Sequence, residues 1–301
     1  MTSSYDVVVL GAFGLSTSVE LPAEGRRHGV EVTFTDVLDF VGQAGGDSAL
    51  GFTALGRRTA VVGHVGADRQ GDWVRAELAR AGIDLQALDI DPAGTARSVS
   101  MISSDGSRRG FYDGRGHMIV PVPEHAAAAV AASRLALFHL SNWSRQLLPV
   151  ARAAGVTIAA DLQDLLDAAD PYRRDYVEQA DIVFFSAANV PDPTSTINAV
   201  LAGRNDRVVV TGMGARGCAV GTADGVQMHP PVSVDRPVID TNGAGDALAV
   251  GFLTSYVLEG RPLDEAVRRA QIAARWICSH RSSSSNLITA EELDRLANSG
   301  G

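Results

Sequence analysis

Short runs of apolar, often β-branched residues alternate with longer amphipathic stretches along nearly the whole chain. Residues 7–10, 60–63 and 157–160 are typical of buried strands, and residues 70–81 and 263–278 contain apolar side chains at helical spacing. We therefore expect an α/β fold with a mostly parallel sheet and helices on both faces, because parallel strands need crossover connections that pack on the sheet.

The remaining periodic segments extend this pattern, and we predict one α/β domain that spans residues 1–301. Further strands are predicted at residues 135–140, 182–185 and 207–211, and further helices at residues 145–154, 244–258 and 287–296. A run of serines, residues 282–285, precedes the last helix. We expect this run to be an ordered loop, because the helical pattern resumes after it.

Two stretches interrupt the alternation of strands and helices. Residues 31–40 and 98–113 have strand signals without helical sequence between neighbouring strands. They predict a small antiparallel sheet over one edge of the core. Such a sheet would act as a lid, formed by about residues 14–44 and 96–118.

The chain contains no lysine, and all 26 basic residues are arginine. P-loop NTPases need the lysine of G-x-x-x-x-G-K-[ST], and protein kinases need a strand lysine that holds the phosphates. Enzymes that form a Schiff base or use pyridoxal phosphate need a lysine as well. These classes are excluded. The formal net charge of -9 argues against a nucleic-acid partner, which requires clustered positive charge.

The two cysteines, Cys218 and Cys278, form no C-x-x-C pair and are predicted to be buried thiols. The seven histidines have no metal-binding spacing. Residues 1–6 lead directly into a strand, so no signal peptide is expected, and no apolar run approaches the ~20 residues of a membrane span. The sequence therefore predicts a cytoplasmic protein without a membrane partner.

The segment D-T-N-G-A-G-D-A, residues 240–247, leads into an apolar helix. Free N–H groups at a helix start point outward with the positive end of the dipole, so they can stabilise the charge that grows on a transferring phosphoryl group. Asp246, in the first turn, can accept a proton from a hydroxyl nucleophile. The alternative for this segment alone is an ordinary helix start with an Asp that compensates the dipole.

The segment T-G-M-G-A-R-G, residues 211–217, matches the dinucleotide motif G-x-G-x-x-G. A dinucleotide loop must open a helix, whereas residues 218–225 are typical of a strand and a turn. An NAD-binding enzyme is therefore disfavoured. We interpret the loop as a cradle for a nucleotide, with a plain glycine turn as the alternative.

A third glycine-rich series contains G-G-D-S-A at residues 45–49, A-L-G-R at 54–57, V-G-H-V-G-A-D-R-Q-G at 62–71 and G-I-D at 82–84. A glycine pair before a helix exposes backbone amides, here where the hydroxyl groups of a sugar could be recognised. This series and the D-T-N-G-A-G-D segment, in this order, resemble the two signatures of the ribokinase-like (PfkB) carbohydrate kinases. The resemblance covers roughly residues 5–296.

The resemblance implies a ribokinase-like three-layer sandwich with a mostly parallel central sheet and a small β-sheet lid. It also implies a kinase that transfers the γ-phosphoryl group of ATP to a hydroxyl, preferably a primary one, of a sugar or sugar-like compound. Mg²⁺ would be the metal cofactor, with K⁺ as an additional monovalent cation. A homodimer formed through the lid is compatible with this interpretation.

The same resemblance assigns roles to residues of this chain. Asp246 would be the catalytic base, next to an anion hole formed by the amides of Gly243, Ala244 and Gly245. The nucleotide would be bound near Thr211, Gly212, Gly214 and Gly217. The substrate would be bound by Gly45, Gly46, Asp47 and Ser16. Asp240 and residues 282–285 would border the monovalent cation site.

The chain departs from the family pattern in three places. Ser186 and Asn189 occupy the segment where the family has N-x-x-E, so the carboxylate that organises Mg²⁺ and phosphate is missing. Ser16 replaces an Asp that grips sugar hydroxyls, and Leu50 replaces an Asn. We therefore expect ribose and fructose to be poor substrates. Leu50 would face an apolar part of the ligand, with packing in the core as the alternative.

Two other functions stay open at this point. A nucleoside kinase of the same fold could stack a base on Phe111, Tyr112 or Trp143, although core packing is the better interpretation for Trp143. A family member that binds a ligand without catalysis is favoured by the missing carboxylate and opposed by the intact Asp246 segment.

Overall fold

The computed structural model describes residues 4–21, 34–103, 108–165 and 167–299, which contain thirteen strands and nine α-helices. The strands are β1 (Tyr5–Ala12), β2 (Gly14–Glu20), β3 (Val37–Gly42), β4 (Thr59–Gly66), β5 (Asp84–Asp91), β6 (Ala96–Ile102), β7 (Arg108–Asp113), β8 (Ser133–His139), β9 (Thr157–Asp164), β10 (Ile182–Ser186), β11 (Val208–Gly212), β12 (Cys218–Thr222) and β13 (Gly225–His229). The helices are α1 (Gln43–Ala54), α2 (Arg69–Arg80), α3 (Ala126–Ala131), α4 (Leu148–Ala153), α5 (Arg174–Gln179), α6 (Thr194–Leu201), α7 (Ala244–Leu253), α8 (Leu263–Ile277) and α9 (Ala290–Asn298).

Nine of these strands form one large sheet in the order β13-β12-β11-β10-β9-β8-β1-β4-β5. All neighbouring pairs from β11 to β5 are parallel, and only β12 and β13 at one edge are antiparallel. The first strand, β1, lies inside the sheet, with Val9 opposite Leu137 on one side and Val61 on the other. The carboxyl ends of the parallel strands therefore meet along one edge, where ligands bind in open α/β sheets.

The large sheet separates two hydrophobic cores. Val7 and Val9 of β1 belong to the core that also contains buried residues of α1, α7, α8 and α9, whereas Val8 and Leu10 belong to the core that contains residues of α3, α4, α5 and α6. All four side chains are fully buried, which stabilises the fold by about 1.5–3 kcal/mol for each. The alternation of faces along a strand thus produces the predicted three layers, and the fold class is confirmed.

The other four described strands form a small sheet in the order β3-β2-β6-β7. Its pairs β2–β3 and β6–β7 are antiparallel, as expected, but β2 and β6 are parallel. The expectation of a purely antiparallel sheet was therefore wrong for one pair. Strand β2 follows β1, and strand β6 follows β5. Because β1 and β5 run in the same direction and end at the same edge of the large sheet, β2 and β6 enter the small sheet in the same direction.

Several local boundaries differ from the sequence predictions. Strands β2 and β5 were not predicted, and residues 22–33 and 104–107 of the predicted lid lie outside the described residues. Helix α1 begins at Gln43, so the glycine pair lies in its first turn and not before the helix. The predicted helix at residues 244–258 ends as a π turn, Thr254–Leu258. Both cysteines are free and buried, as predicted.

Candidate active site

The N-terminus of α7 lies at the carboxyl edge of the large sheet. Its N-cap, Gly243, has a φ of 75°, a left-handed conformation that glycine adopts without steric cost. A Cβ atom at this position would lie 2.5 Å from the Cβ of Ser283, so the serine loop can approach only because the side chain is absent. No side chain caps α7, and the N–H of Ala244 makes only a long hydrogen bond of 3.4 Å to the carbonyl of Thr241, so the start of the helix can bind an anion.

Asp246 lies in the first turn of α7 among other ionisable groups. Burial raises the pKa of its carboxyl well above the ordinary value, and the negative charges of Asp47 and Asp161 raise it further. The charges of His139 and Arg108 lower it. The atom Oδ1 of Asp246 is buried and has no hydrogen-bond partner within the described ranges. The carboxyl is therefore a basic one with an unused lone pair, as a proton acceptor requires.

Asp47 of α1 lines the same pocket as Asp246, together with Gly243 and Ser283. Its side chain is buried, and Oδ1 accepts a hydrogen bond of 2.7 Å from the hydroxyl of Ser283. Burial raises the pKa of Asp47 to about 7, although the hydrogen bond from Ser283 lowers it. Both carboxyls thus favour the protonated state, chiefly because they are buried; the charge of Asp240 adds to this effect at Asp47, and the charge of Asp47 adds to it at Asp246.

The raised pKa of Asp47 has a consequence for stability. Between the ordinary value of 3.8 and about 7, the folded state binds more protons at this position than the unfolded state, so stability falls as the pH rises through that window. Asp47→Asn keeps the shape and removes the titration. We expect the variant to gain about 1–4 kcal/mol of unfolding free energy relative to the wild type on going from pH 4.5 to pH 8. Urea unfolding at the two pH values measures this gain.

A matched control for Asp47→Asn is Asp264→Asn, because Asp264 is exposed in the first turn of α8. Its free energy of unfolding, relative to the wild type, should change little between the two pH values. An Asp47→Asn variant that loses stability relative to the wild type as the pH rises would contradict the protonated state of Asp47.

His139 and Asp161 are further residues of this candidate site, and the sequence alone did not indicate them. His139 ends β8 and Asp161 lies in the neighbouring strand β9, so the parallel sheet brings both to Asp246. One nitrogen or oxygen atom from each of the three side chains lies within 4.8 Å of the others. No local motif surrounds either residue, and the only available signal was their common position near the ends of predicted parallel strands.

Asp240 precedes the glycine segment and is almost fully buried. Its Oδ1 accepts a hydrogen bond of 2.8 Å from the backbone N–H of Asn242, and Oδ2 is buried and accepts none within the described part of the chain. Burial raises the pKa of this carboxyl, and the N–H of Asn242 lowers it. An unused carboxylate oxygen at a buried position suits a hard cation, which prefers oxygen ligands.

Arg108 connects the small sheet to the glycine segment. It lies in β7 and donates a hydrogen bond to Oδ1 of Asn242. Its positive charge lowers the pKa values of Asp47, Asp240 and Asp246, against the larger effect of burial on each of them. The small sheet thus contributes positive charge to a pocket that otherwise contains carboxyl groups.

The T-G-M-G-A-R-G loop follows β11. Thr211 is fully buried and donates a hydrogen bond of 2.8 Å to the backbone carbonyl of Phe185. Residues Gly214–Arg216 form one 3₁₀ turn, and Gly217, with a φ of 90°, returns the chain into β12. The hairpin of β12 and β13 confirms that a strand and a turn, not a dinucleotide helix, follow this loop.

Strand β10 ends at Ser186, and the loop after it, which contains Asn189, lies beside the T-G-M-G-A-R-G loop. The backbone N–H of Ala187 donates a hydrogen bond of 2.9 Å to the carbonyl of Gly212. Arg216 fixes the same loop by donating to the carbonyls of Ala187 and Val190 at 3.1 and 2.6 Å. The structure thus joins the two loops through backbone contacts, where the family pattern has a carboxylate.

The residues predicted to bind substrate are distributed over two elements. A Cβ atom at Gly45 would lie 2.6 Å from the carbonyl oxygen of Ala12, so this glycine allows α1 to pack against the end of β1. Ser16 belongs to the small sheet, where its hydroxyl lies 3.0 Å from that of Ser98. Leu50 is buried in the core, so the hypothesis that it faces the ligand is wrong and its packing alternative is correct.

A second cavity lies between the small sheet and the carboxyl ends of β1 and β4. It is lined by aromatic and polar groups: Phe13, His64, Asp91, Tyr112, His117, Ser141 and Trp143. The rings of His64 and Trp143 are 5.5 Å apart in an edge-to-face arrangement. Trp143 is 2% exposed and packs in the core beneath the cavity. Aromatic walls with a few polar groups are typical of small-molecule sites.

The fold and the site define a carbohydrate kinase, and the chain belongs to the pfkB family of carbohydrate kinases, whose family model matches residues 7–290. The chain is 31% identical over 304 residues to the acarbose 7(IV)-phosphotransferase of an Actinoplanes species, with 99% of this chain and 100% of that protein covered. It is 30% identical over 235 residues to the ATP-dependent ribose-1-phosphate kinase of Halopiger xanaduensis, with 72% and 75% covered.

Solved structures agree with this assignment. A microbiome-derived acarbose kinase matches with a TM-score of 0.86 at 30% identity, with 98% of this chain and 99% of that chain covered. Arabidopsis thaliana ribokinase, complexed with ribose and ATP, matches with a TM-score of 0.80 at 19% identity, with 99% of each chain covered, and supports the fold alone. The chain is thus an ATP-dependent kinase that phosphorylates a hydroxyl of a sugar or sugar-like small molecule. Within the ranges described, no helix is long and apolar enough to cross a membrane.

Proposed function

We propose that this kinase phosphorylates a primary hydroxyl of acarbose or of a related oligosaccharide. The observation that supports this most is the full-length similarity to two acarbose kinases, one a curated relative and the other a solved structure. The departure at Ser16 supports a substrate other than ribose or fructose, because a carboxylate that would grip sugar hydroxyls is missing at this position.

The proposed chemistry uses Asp246 as the general base. The O–H bond of the substrate breaks and its proton passes to a carboxylate oxygen of Asp246. In the same step the hydroxyl oxygen bonds to the γ-phosphorus, and the bond from that phosphorus to the bridging oxygen of ADP breaks. The amides of Gly243, Ala244 and Gly245 stabilise the charge on the transferring group, supported by the uncapped N-terminus of α7.

Nucleotide binding is proposed for the loop that contains Thr211, Gly212, Gly214 and Gly217. The left-handed conformation of Gly214, with a φ of 59°, and the absence of any atom closer than 3.7 Å to a Cβ placed there support a close backbone approach to a ligand. Mg²⁺ bound with ATP would neutralise phosphate charge. Ser186 and Asn189 offer no carboxylate. Their segment could therefore hold the ion only through neutral oxygens and water, which Mg²⁺ tolerates. K⁺ is proposed beside the unused Oδ2 of Asp240.

Sugar binding is proposed for the cavity between the small sheet and the large sheet. Its aromatic lining, above all the exposed ring of Tyr112, can cover the apolar face of a sugar ring, and Asp91 can accept hydrogen bonds from sugar hydroxyl groups. The small sheet would then be the lid, which excludes water when it closes over the ligand. Asp47 lies beside Asp246 in the other pocket, so its proposed contact is with the reacting end of the sugar.

The substrate assignment is tested by ADP release from MgATP with acarbose, ribose, fructose and cytidine as acceptors. We expect kcat/KM for acarbose to exceed that for each of the other three by about 10²-fold or more, because a site shaped for one ligand loses contacts with the others. The position of the phosphate in the product is read by NMR. Efficient phosphorylation of cytidine with no turnover of acarbose would assign a nucleoside kinase instead.

A further inference from the structure

The imidazole of His139 occupies a fixed position beneath the reacting end of the pocket. Its ring is 3% exposed, and Nε2 lies 3.0 Å from the hydroxyl of Ser48 in α1. A Cβ atom at Gly11 would lie 3.0 Å from the Cβ of His139 and 3.2 Å from its Cδ2, so β1 closes the space behind the ring. These contacts leave the imidazole no room to turn away from Asp161 and Asp246.

The second ring nitrogen of His139 faces carboxylates. Nδ1 lies 3.5 Å from Oδ2 of Asp161 and makes no hydrogen bond within the described residues. Oδ1 of Asp246 is likewise buried without a partner, and the three side chains approach within 4.8 Å of one another. A buried imidazole nitrogen and a buried carboxylate oxygen, neither with a hydrogen-bond partner among the described residues, therefore belong to one small cluster.

The charged groups around Asp246 indicate the role that His139 can have. Asp246 is faced by Asp47 from α1, by Asp161 from β9, by His139 from β8 and by Arg108 from β7. With no lysine in the chain, His139 and Arg108 provide the positive charge among these groups. Arg108 is exposed on the small sheet, whereas His139 is buried, so the field of His139 is weakly screened by solvent.

We propose that His139 is a positioning residue that favours the ionised carboxylate of Asp246, while Ser48 and Asp161 hold the imidazole in place. This inference rests on the proposed role of Asp246 as the base. An ionised Asp246 can take the hydroxyl proton, whereas a protonated one cannot. The imidazole itself does not touch the substrate, so it acts through Asp246 alone.

The inference is tested with His139→Gln, which removes the charge and keeps an amide that can bond to Ser48. The pH dependence of kcat/KM is measured from pH 5.5 to 9.5 with the acceptor that the substrate panel identifies. We expect the acid limb to move to higher pH by about one unit or more, the usual effect of losing a nearby opposite charge. Activity near pH 6 should fall about 10-fold or more, with much of it recovered at pH 9.

The control is His125→Gln, since His125 is exposed at the start of α3, and its pH profile should match the wild type. A loss of activity in His139→Gln that is equal at every pH would reduce His139 to a packing role and overturn the proposal. Should the Gln variant fail to fold in thermal melting, His139→Asn is measured in the same way. Tight Zn²⁺ binding by the wild type that disappears in His139→Gln would also overturn it in favour of a metal site.

Failure of this inference is distinguishable from failure of the proposed function. If Asp246→Asn keeps near-normal turnover, the base itself is misassigned, whatever His139 does. If Asp246→Asn is inactive while the acid limb of the pH profile of His139→Gln is unchanged, the assignment of Asp246 as the base is supported and the positioning role of His139 is refuted.

Discussion

Asp246→Asn is expected to lower kcat by about 10²–10⁴-fold while the fold and nucleotide binding are retained. The substitution keeps the size of the side chain in the first turn of α7 but replaces the basic carboxylate with an amide, which cannot take the hydroxyl proton. Because Asp246 is surrounded by Asp47 and Asp161, loss of its charge also relieves repulsion, so we expect no loss of stability. Steady-state ADP release and calorimetric titration with a non-hydrolysable ATP analogue measure the two quantities.

A matched control for this variant exists in the same chain. Asp72 is an exposed aspartate in the first turn of α2, so Asp72→Asn removes an equivalent helix-start charge far from the pocket. Its turnover should equal that of the wild type. Turnover of Asp246→Asn within a few fold of the wild type would remove Asp246 from the chemistry.

Gly243→Ala and Gly245→Ala are expected to abolish most activity for opposite structural reasons. At Gly243 the new Cβ would meet Ser283 at 2.5 Å, and the residue would keep a φ of 75° that alanine disfavours by about 1–2 kcal/mol. We therefore expect a lower free energy of unfolding together with reduced kcat. Urea unfolding and ADP release from the same preparation measure both effects.

Gly245 is exposed, and a Cβ at this position would meet no atom within 4 Å. Alanine is the better helix former by about 0.5–1 kcal/mol, so Gly245→Ala should be slightly more stable than the wild type. The methyl group nevertheless projects at the helix start where the phosphoryl group would bind, and kcat/KM should fall. A fully active Gly245→Ala variant would show that the anion does not bind at this end of α7.

The fold was largely predictable because its main signals are local. Buried parallel strands such as β1 are continuous apolar runs, and the helices that cover them have helical spacing, so the three layers follow from the period alone. The small sheet was harder to predict from the sequence. Strand β2 has few apolar residues, and its partner in the parallel pair, β6, lies about 80 residues further along the chain, as the contact between Ser16 and Ser98 shows.

The residues of the candidate site likewise differ in how far the sequence alone could place them. Asp246 was predictable because its neighbours in sequence, Gly243 and Gly245, are also its neighbours in space. His139 and Asp161 were missed because they meet Asp246 only through the register of β8 and β9 with the rest of the sheet. A single histidine at the end of a strand can have many different roles, and no spacing rule in the sequence indicates that it lies beside Asp246.

The position of β1 in the middle of the large sheet affects the order in which the protein can form during synthesis. Strand β1 leaves the ribosome before β4 and β8, so it must wait for both neighbours before it is fully paired. The pocket closes later still, because Ser283 donates to Asp47 across 236 positions of the chain. A nascent polypeptide therefore exposes at least one edge of β1 until β8 has been translated, and the pocket is complete only after Ser283 has been translated.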